Sequence, residues 1–176
     1  CGDPRSTFNE ILIKTLKKKI SKSIKSIKYP IIIICSKKLF INELKKFKTT
    51  INFQDFDSQK NSLEKKIYFV DIPLDYKKLS EAKKNLYISQ SFKVALDLIK
   101  KRNSYALING PVSKATFLKG KFRGITEYLA SKTESLNEVM LIFNKKLSVS
   151  PITTHLPINK VSQKIKKEVI VKKISN

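Results

Sequence analysis

The stretch "YPIIIICSKKLFINELKKFK" (29–48) decides how the rest of the chain is read. Four consecutive isoleucines, bounded by Pro30 and Ser36, form a continuous β-branched run with no polar alternation. That pattern suits a strand buried on both faces rather than one with a wet side. From Ser36 the period changes, and "SKKLFINELKKFK" reads as a short amphipathic helix. A doubly buried strand feeding a helix is the repeating unit of layered α/β domains.

The same alternation extends in both directions. Upstream, Leu12, Leu16, Ile20, Ile24 and Ile27 recur at helical spacing behind Asn9, a candidate N-cap. Downstream, residues 50–66 show no clear period, and "KIYFVDIP" (66–73) reads as a second strand. Ala82, Leu86, Phe92, Ala95, Leu96 and Ile99 mark the apolar face expected of a long helix. Then come an expected strand in "YALINGPVSK" (105–114), a helix around 126–133, strands in "VMLIF" (139–143) and "LSVSPITT" (147–154), and a terminal helix carrying Ile158, Val161, Ile165 and Val169. There is no internal repeat and no Gly/Ser-rich linker. The expected fold is α/β, with helices layered around a mainly parallel sheet and a single domain over 1–176.

Composition narrows the function classes. A chain of 176 residues with 41% hydrophobic content can bury one sizeable core. No apolar run approaches the roughly 20 residues that span a bilayer, and no signal-like segment opens the chain, so a cytoplasmic protein without a membrane partner is expected. Cys1 and Cys35 are too few for a disulfide framework or a thiolate metal knot. The opening Cys-Gly-Asp-Pro lacks an initiator Met, which suggests missing upstream sequence or, alternatively, a processed N-terminal cysteine. The formal net charge of +23 invites a nucleic-acid reading. Yet the only arginines are Arg5, Arg102 and Arg123, and the lysines are scattered among abundant Ile and Asn, as AT-rich coding would impose. No specific nucleic-acid partner is expected, only nonspecific attraction to polyanions.

In open α/β sheets, ligands bind beyond the carboxyl ends of strands. Three such places carry unusual residues: "CGDP" (1–4), "NGPVSK" (109–114) and "TTHLP" (153–157), the last holding the single histidine, His155. Taken alone, a solitary histidine is more often structural than a ligand, and glycine with proline is often turn punctuation. Their order and spacing are more telling. "ALINGPVSK", "FRGITEYLA", "VMLIF" and "ITTHLP" follow in the sequence and at the intervals of the 4-hydroxythreonine-4-phosphate dehydrogenases of vitamin B6 biosynthesis, which this chain resembles. "GDPRSTFNEI" looks like an altered form of that family's glycine-rich opening. The resemblance covers about the first half of a typical member.

The resemblance implies the first half of an isocitrate/isopropylmalate dehydrogenase-like fold. It also implies a phosphorylated small-molecule substrate, NAD, a divalent metal ion (zinc, magnesium or cobalt) and a homodimer. By the same resemblance, His155 is one of three histidines that ligate the metal, the other two lying in the second half of the family's chain. Thr126 matches a substrate-contacting threonine of the family's Gly-His-Thr-Glu, and Ile125 stands where that motif has its histidine. Lys114 fits the family's pattern in "GPVSK", where it could help to hold an anionic substrate; a solvated lysine at a helix start is an equally good reading. A Gly-x-Gly-x-x-Gly fingerprint is absent from the sequence, so NAD rests on the resemblance alone. The competing reading is a noncatalytic remnant or a basic polyanion-binding protein. Competition between unrelated duplexes near physiological ionic strength checks the charge argument: binding should be indifferent to sequence and fall steeply as salt rises.

Overall fold

The computed structural model describes residues 1–20, 28–57, 59, 63–102, 106–135 and 138–175. Contacts cluster the chain into two compact units, Cys1–Phe117 and Leu118–Asn176. No helix among the described residues is long and apolar enough to cross a membrane.

The first unit is built on the isoleucine run. Strand β1 (Ile31–Cys35) leads through Ser36 into α2 (Lys37–Lys46), after α1 (Phe8–Ile20). A two-residue β2 (Gln54–Asp55) and β3 (Ile67–Asp71) follow, giving a parallel sheet in the order β1-β3-β2. β1 and β3 pair over their whole length, from Ile31 opposite Ile67 to Cys35 opposite Asp71. Ile33, Cys35, Ile67 and Phe69 share one face and pack with Ile13 and Leu16 of α1 and Phe40 and Leu44 of α2. Phe40, Phe53 and Phe69 form an aromatic cluster within it, with centroids 4.9–6.2 Å apart. Ile34 and Tyr68, which the two-residue period sends to the other face, are buried as well. Both faces are therefore covered, as the unbroken apolar run requires.

The βα turn is fixed by polar groups. Ser36 caps α2 by accepting from the Leu39 amide, and Asp71, at the end of β3, accepts from the Lys37 amide at 2.8 Å. The Ser36 amide donates to the Tyr87 hydroxyl at 2.9 Å, which ties α3 (Glu81–Arg102) to the strand end.

Several expectations are corrected. α1 begins before Asn9, with the Thr7 carbonyl accepting from the Ile11 amide; Ile24 and Ile27 lie outside the described residues. β2 falls in the stretch that showed no period, because two paired residues leave no periodic trace. On α3 the first half of the predicted face is out of phase. Leu86 is exposed, while Lys84, Tyr87, Ile88, Ser91, Phe92 and Ala95 are buried. The stripe has proper helical spacing, but two of its slots hold polar residues that find partners, Ser91 within its own helix and Lys84 partly from the chain's opening. Ser91 donates to the Ile88 carbonyl, and the Lys84 ammonium meets Glu81 at 2.6 Å and Asp3 at 3.4 Å.

The expected strand at 105–114 is not a sheet strand: residues 106–113 have no regular structure, and Tyr105 lies outside the described residues. Its hydrogen bonds go to the chain's opening instead, Gly110 N–H to the Cys1 carbonyl at 2.6 Å and Asp3 N–H to the Pro111 carbonyl at 3.1 Å. The chain then passes through a π-helical turn, Lys114–Leu118.

In the second unit, α4 (Ile125–Lys132) is followed by the two remaining expected strands. They make only an isolated antiparallel bridge, Ile142 with Val149. A lone pair of short strands is marginal without a third strand or a packed helix, and Leu141, Ile142, Phe143 and Leu147 are exposed. The expected terminal helix is two helices, α5 (Ile158–Lys164) and α6 (Lys167–Ile174), with Ile165 and Lys166 extended between them. Neither has a fully buried residue, so no packing carries a helix through the break.

Gly110 shows how tightly the opening is held. A Cβ placed there would lie 2.5 Å from Phe8 Cγ, well inside contact distance, and a Cβ on Gly2 would in turn meet the Gly110 Cα at 3.1 Å. Gly110→Ala should destabilise the first unit by about 1–3 kcal/mol through overpacking, read as a lowered denaturant midpoint with an unchanged slope.

Candidate functional site at His155 and the start of helix α4

Two of the three unusual strand-end motifs, "CGDP" and "NGPVSK", meet in the first unit. They line an open hollow of ≈ 260 Å³ formed by Asp3, Arg5, Ser6, Pro111, Val112 and Ser113. Its charges are already committed. Arg5 bonds Glu81 at 2.9 Å and the Leu79 carbonyl at 2.8 Å, and Asp3 faces the buried Lys84 ammonium. The hydrogen bond with Glu81 holds the Lys84 pKa above the ordinary lysine value, and the same bond holds the Glu81 carboxyl below the usual range. The residues of the opening are thus absorbed structurally. Arg5 joins the ion pairs, Ser6 accepts from the Phe8 amide, and Phe8 packs on Gly110. Cys35, at the carboxyl end of β1, is not a nucleophile: burial pushes its thiol up to about 12. Lys114 lies exposed at the start of the π-helical turn.

The second unit holds the other motifs. Gly124 is the N-cap of α4, in extended conformation, and Ile125 and Thr126 form the first helical positions, both half-buried. Ile125 is therefore a helix-start residue and not a loop residue. Glu127 follows in the first turn, where the helix dipole favours a carboxylate. Phe122 packs edge-on against Tyr128 at 5.4 Å and fixes this end of the helix.

His155 reaches the same place from the bend that precedes α5. Its φ is +56°, a left-handed conformation that costs a non-glycine residue about 1 kcal/mol or more. Among the described residues, the other non-glycine ones in that region are Lys48, Lys119 and Glu134, each just past the end of a helical segment, where such geometry is common. His155 has no helix before it to account for its conformation. Its Nε2 lies 4.0 Å from Glu127 Oε1, with the two side chains 40% and 27% exposed. Glu127 Oε2 is buried without a hydrogen-bond partner. A Cβ on Gly124 would sit 3.0 Å from that oxygen and 3.8 Å from His155 Nε2, so the glycine lets the Glu127 carboxylate and the imidazole lie close against the helix start.

Comparison with known proteins gives this arrangement its setting. The pattern of the pyridoxal phosphate biosynthetic protein PdxA matches residues 26–176. The chain belongs to that family. The 4-hydroxythreonine-4-phosphate dehydrogenase of a Sulfurihydrogenibium species is 30% identical over 98% of this chain and 53% of its own length. That of Aquifex aeolicus is 26% identical with the same coverage. The crystal structure of the Klebsiella pneumoniae enzyme superposes with a TM-score of 0.78 at 22% identity, covering 99% of this chain and 54% of that one. The Burkholderia phymatum enzyme gives 0.76 at 23%. The chain thus spans about half the length of the relatives it matches and has the α/β fold of these PdxA-family structures.

Within the second unit the structure brings Ile125, Thr126 and His155 to one end of α4. Glu127 is the member that sequence reasoning missed. The available signal was its place three residues after a glycine N-cap, where an acidic side chain folds back over the helix start. Among the described residues no group of three or more His, Cys, Asp or Glu could hold a metal ion. An imidazole facing a carboxylate with an unpaired buried oxygen is nevertheless a donor set that fits a divalent cation, with most positions left to other groups. Calorimetric titration of the chain with zinc should therefore show no tight stoichiometric site whose heat vanishes in His155→Ala.

Proposed function

We propose that this chain supplies the His155 and Thr126 portion of a 4-hydroxythreonine-4-phosphate dehydrogenase, which oxidises and decarboxylates a phosphorylated amino-hydroxy acid with NAD. His155 holds a divalent cation through its imidazole, and Thr126 hydrogen-bonds the substrate. The remaining metal ligands and the groups that hold the phosphate come from the half of the family's length that this chain does not span, in a homodimer. When bound, the cation supplies Lewis acidity toward the substrate hydroxyl and then toward the ketone. NAD is the hydride acceptor in this reading, and the protein contributes position and electrostatics.

The observation that carries the proposal is the convergence of "GITE" and "TTHLP". Two motifs about thirty residues apart bring Glu127 and His155 to 4.0 Å in one compact unit, at the cost of a left-handed backbone at His155. Within that site, Ile125 supplies neither a hydrogen bond nor a charge. This favours the second reading, a noncatalytic remnant whose net charge of +23 binds polyanions.

The test completes the chain with the complementary half of the Sulfurihydrogenibium relative and follows nicotinamide reduction with 4-hydroxythreonine 4-phosphate. Ile125→His should raise kcat/KM by about 10-fold or more, the worth of a regained charge-assisted hydrogen bond. It should change folding stability by no more than about 0.5 kcal/mol, since Ile125 is only half-buried. A folded, completed protein that turns nothing over, with or without Ile125→His, would sink the enzyme reading in favour of the remnant.

A further inference from the structure

We propose that Lys84 is a positioning residue: its buried ammonium clamps the chain's opening and the π-helical turn Lys114–Leu118 to the start of α3, and so holds Lys114 where it meets the anionic substrate. The proposal rests on the enzyme reading above, with Lys114 as a cation offered to that substrate, and adds a residue that touches neither substrate nor cofactor.

A lysine ammonium has three donors and no acceptor. At Lys84 they face oxygens from three segments of the first unit: Glu81 Oε2 on α3 at 2.6 Å, Asp3 Oδ2 in the opening at 3.4 Å and Thr116 Oγ1 in the π-helical turn at 3.4 Å. Neighbouring groups repeat each link. Arg5, from the opening, bonds Glu81 and the Leu79 carbonyl, and Asn85 Nδ2 donates to the Thr116 carbonyl at 2.8 Å. The Ser113 hydroxyl accepts from the Thr116 amide at 3.2 Å, so whatever fixes Thr116 also fixes the segment that leads into Lys114.

Packing alone does not explain this lysine. Lys84 is 5% exposed, on the stripe of α3 that carries Tyr87, Ile88 and Ser91, where an apolar side chain of similar volume would serve stability at least as well as a buried ion pair. What an apolar residue cannot do is hold two separate segments by directed bonds. The π-helical turn adds to the argument, because that geometry is rare and, where it occurs, frequent at functional sites. Lys84 is too buried to reach a substrate itself, whereas Lys114, at the start of the turn, is exposed.

Hydrogen exchange on the full 176-residue chain tests the clamp. Lys84→Met should speed exchange of the Asp3, Gly110 and Phe117 amides, which donate to the Pro111, Cys1 and Ser113 carbonyls, by about 10-fold or more, the worth of a charge-assisted hydrogen bond. The Ile31 and Ile72 amides, which donate to Lys66 and Cys35 beside the sheet, should keep their protection. Equal loss at every one of these amides, or loss at none, would overturn the proposal. Kinetics of the chain completed as above test the action through Lys114. Lys84→Met should raise KM for 4-hydroxythreonine 4-phosphate by about 3-fold or more with kcat nearly unchanged, as the loss of uniform binding does. Lys114→Met should raise KM at least as far, and the double variant should be no worse than Lys114→Met alone. Additive effects, or an unchanged KM in Lys84→Met, would overturn the proposal and leave the enzyme reading standing; a completed protein without turnover in any variant would overturn both. If Lys84→Met does not fold, Thr116→Val cuts only the link to the turn and must raise KM in the same Lys114-dependent way.

Discussion

The parallel ladder between β1 and β3 is the constraint on which the first unit depends. A parallel pair cannot be closed by a tight turn, so the chain between Cys35 and Ile67 must leave the sheet and return. α2 carries the first leg, from β1 to β2, and is held at its start from both β1 and β3, by Ser36 at the end of β1 and by Asp71 at the end of β3. Because parallel strands place apolar side chains on both faces, the unit needs cover on each side. The amphipathic α1 and α2 meet that need on the face that carries Ile33 and Phe69.

What could be read from the sequence follows from how local each cause is. The isoleucine run, the helix after it and "KIYFVDIP" were legible because burial on both faces leaves an unbroken apolar signature. The face of α3 was only half legible. Lys84 and Ser91 occupy core slots, and whether a lysine can be buried depends on Glu81 beside it and on Asp3, some eighty residues away. The segments at 106–113 and 139–154 carry strand-like composition, yet the first joins no sheet and the second makes only the isolated bridge of Ile142 with Val149. β-propensity describes side chains suited to a sheet, while a ladder needs a neighbour whose backbone groups are free to accept it.

The site divides in the same way. His155 and Thr126 are singled out by resemblance, since both sit in short motifs, and both lie near the start of α4. Glu127 does not stand out in the sequence, because an acidic residue in the first turn of a helix has an ordinary explanation in the helix dipole. Only the three-dimensional arrangement, with an unpaired buried oxygen close against Gly124, separates it from the other first-turn acids Glu10, Glu81 and Glu168. Gly110, by contrast, reads in the sequence as punctuation, and its actual reason is the ring of Phe8.

The bridged segment around Ile142 and Val149 has a consequence for the protein's behaviour in bulk solution. Leu141, Ile142, Phe143, Leu147 and Val149 all present apolar surface to water along an irregular two-stranded edge, the form of surface that templates stacking of one molecule on another. Lys145 and Lys146 occupy the connection between the two segments and act as gatekeepers, since stacking would bring like charges together. That protection is electrostatic and reaches only about a Debye length, roughly 8 Å at physiological ionic strength and 3 Å in molar salt. The lysines beside this edge therefore oppose such stacking most strongly in dilute buffer and progressively less as salt is raised.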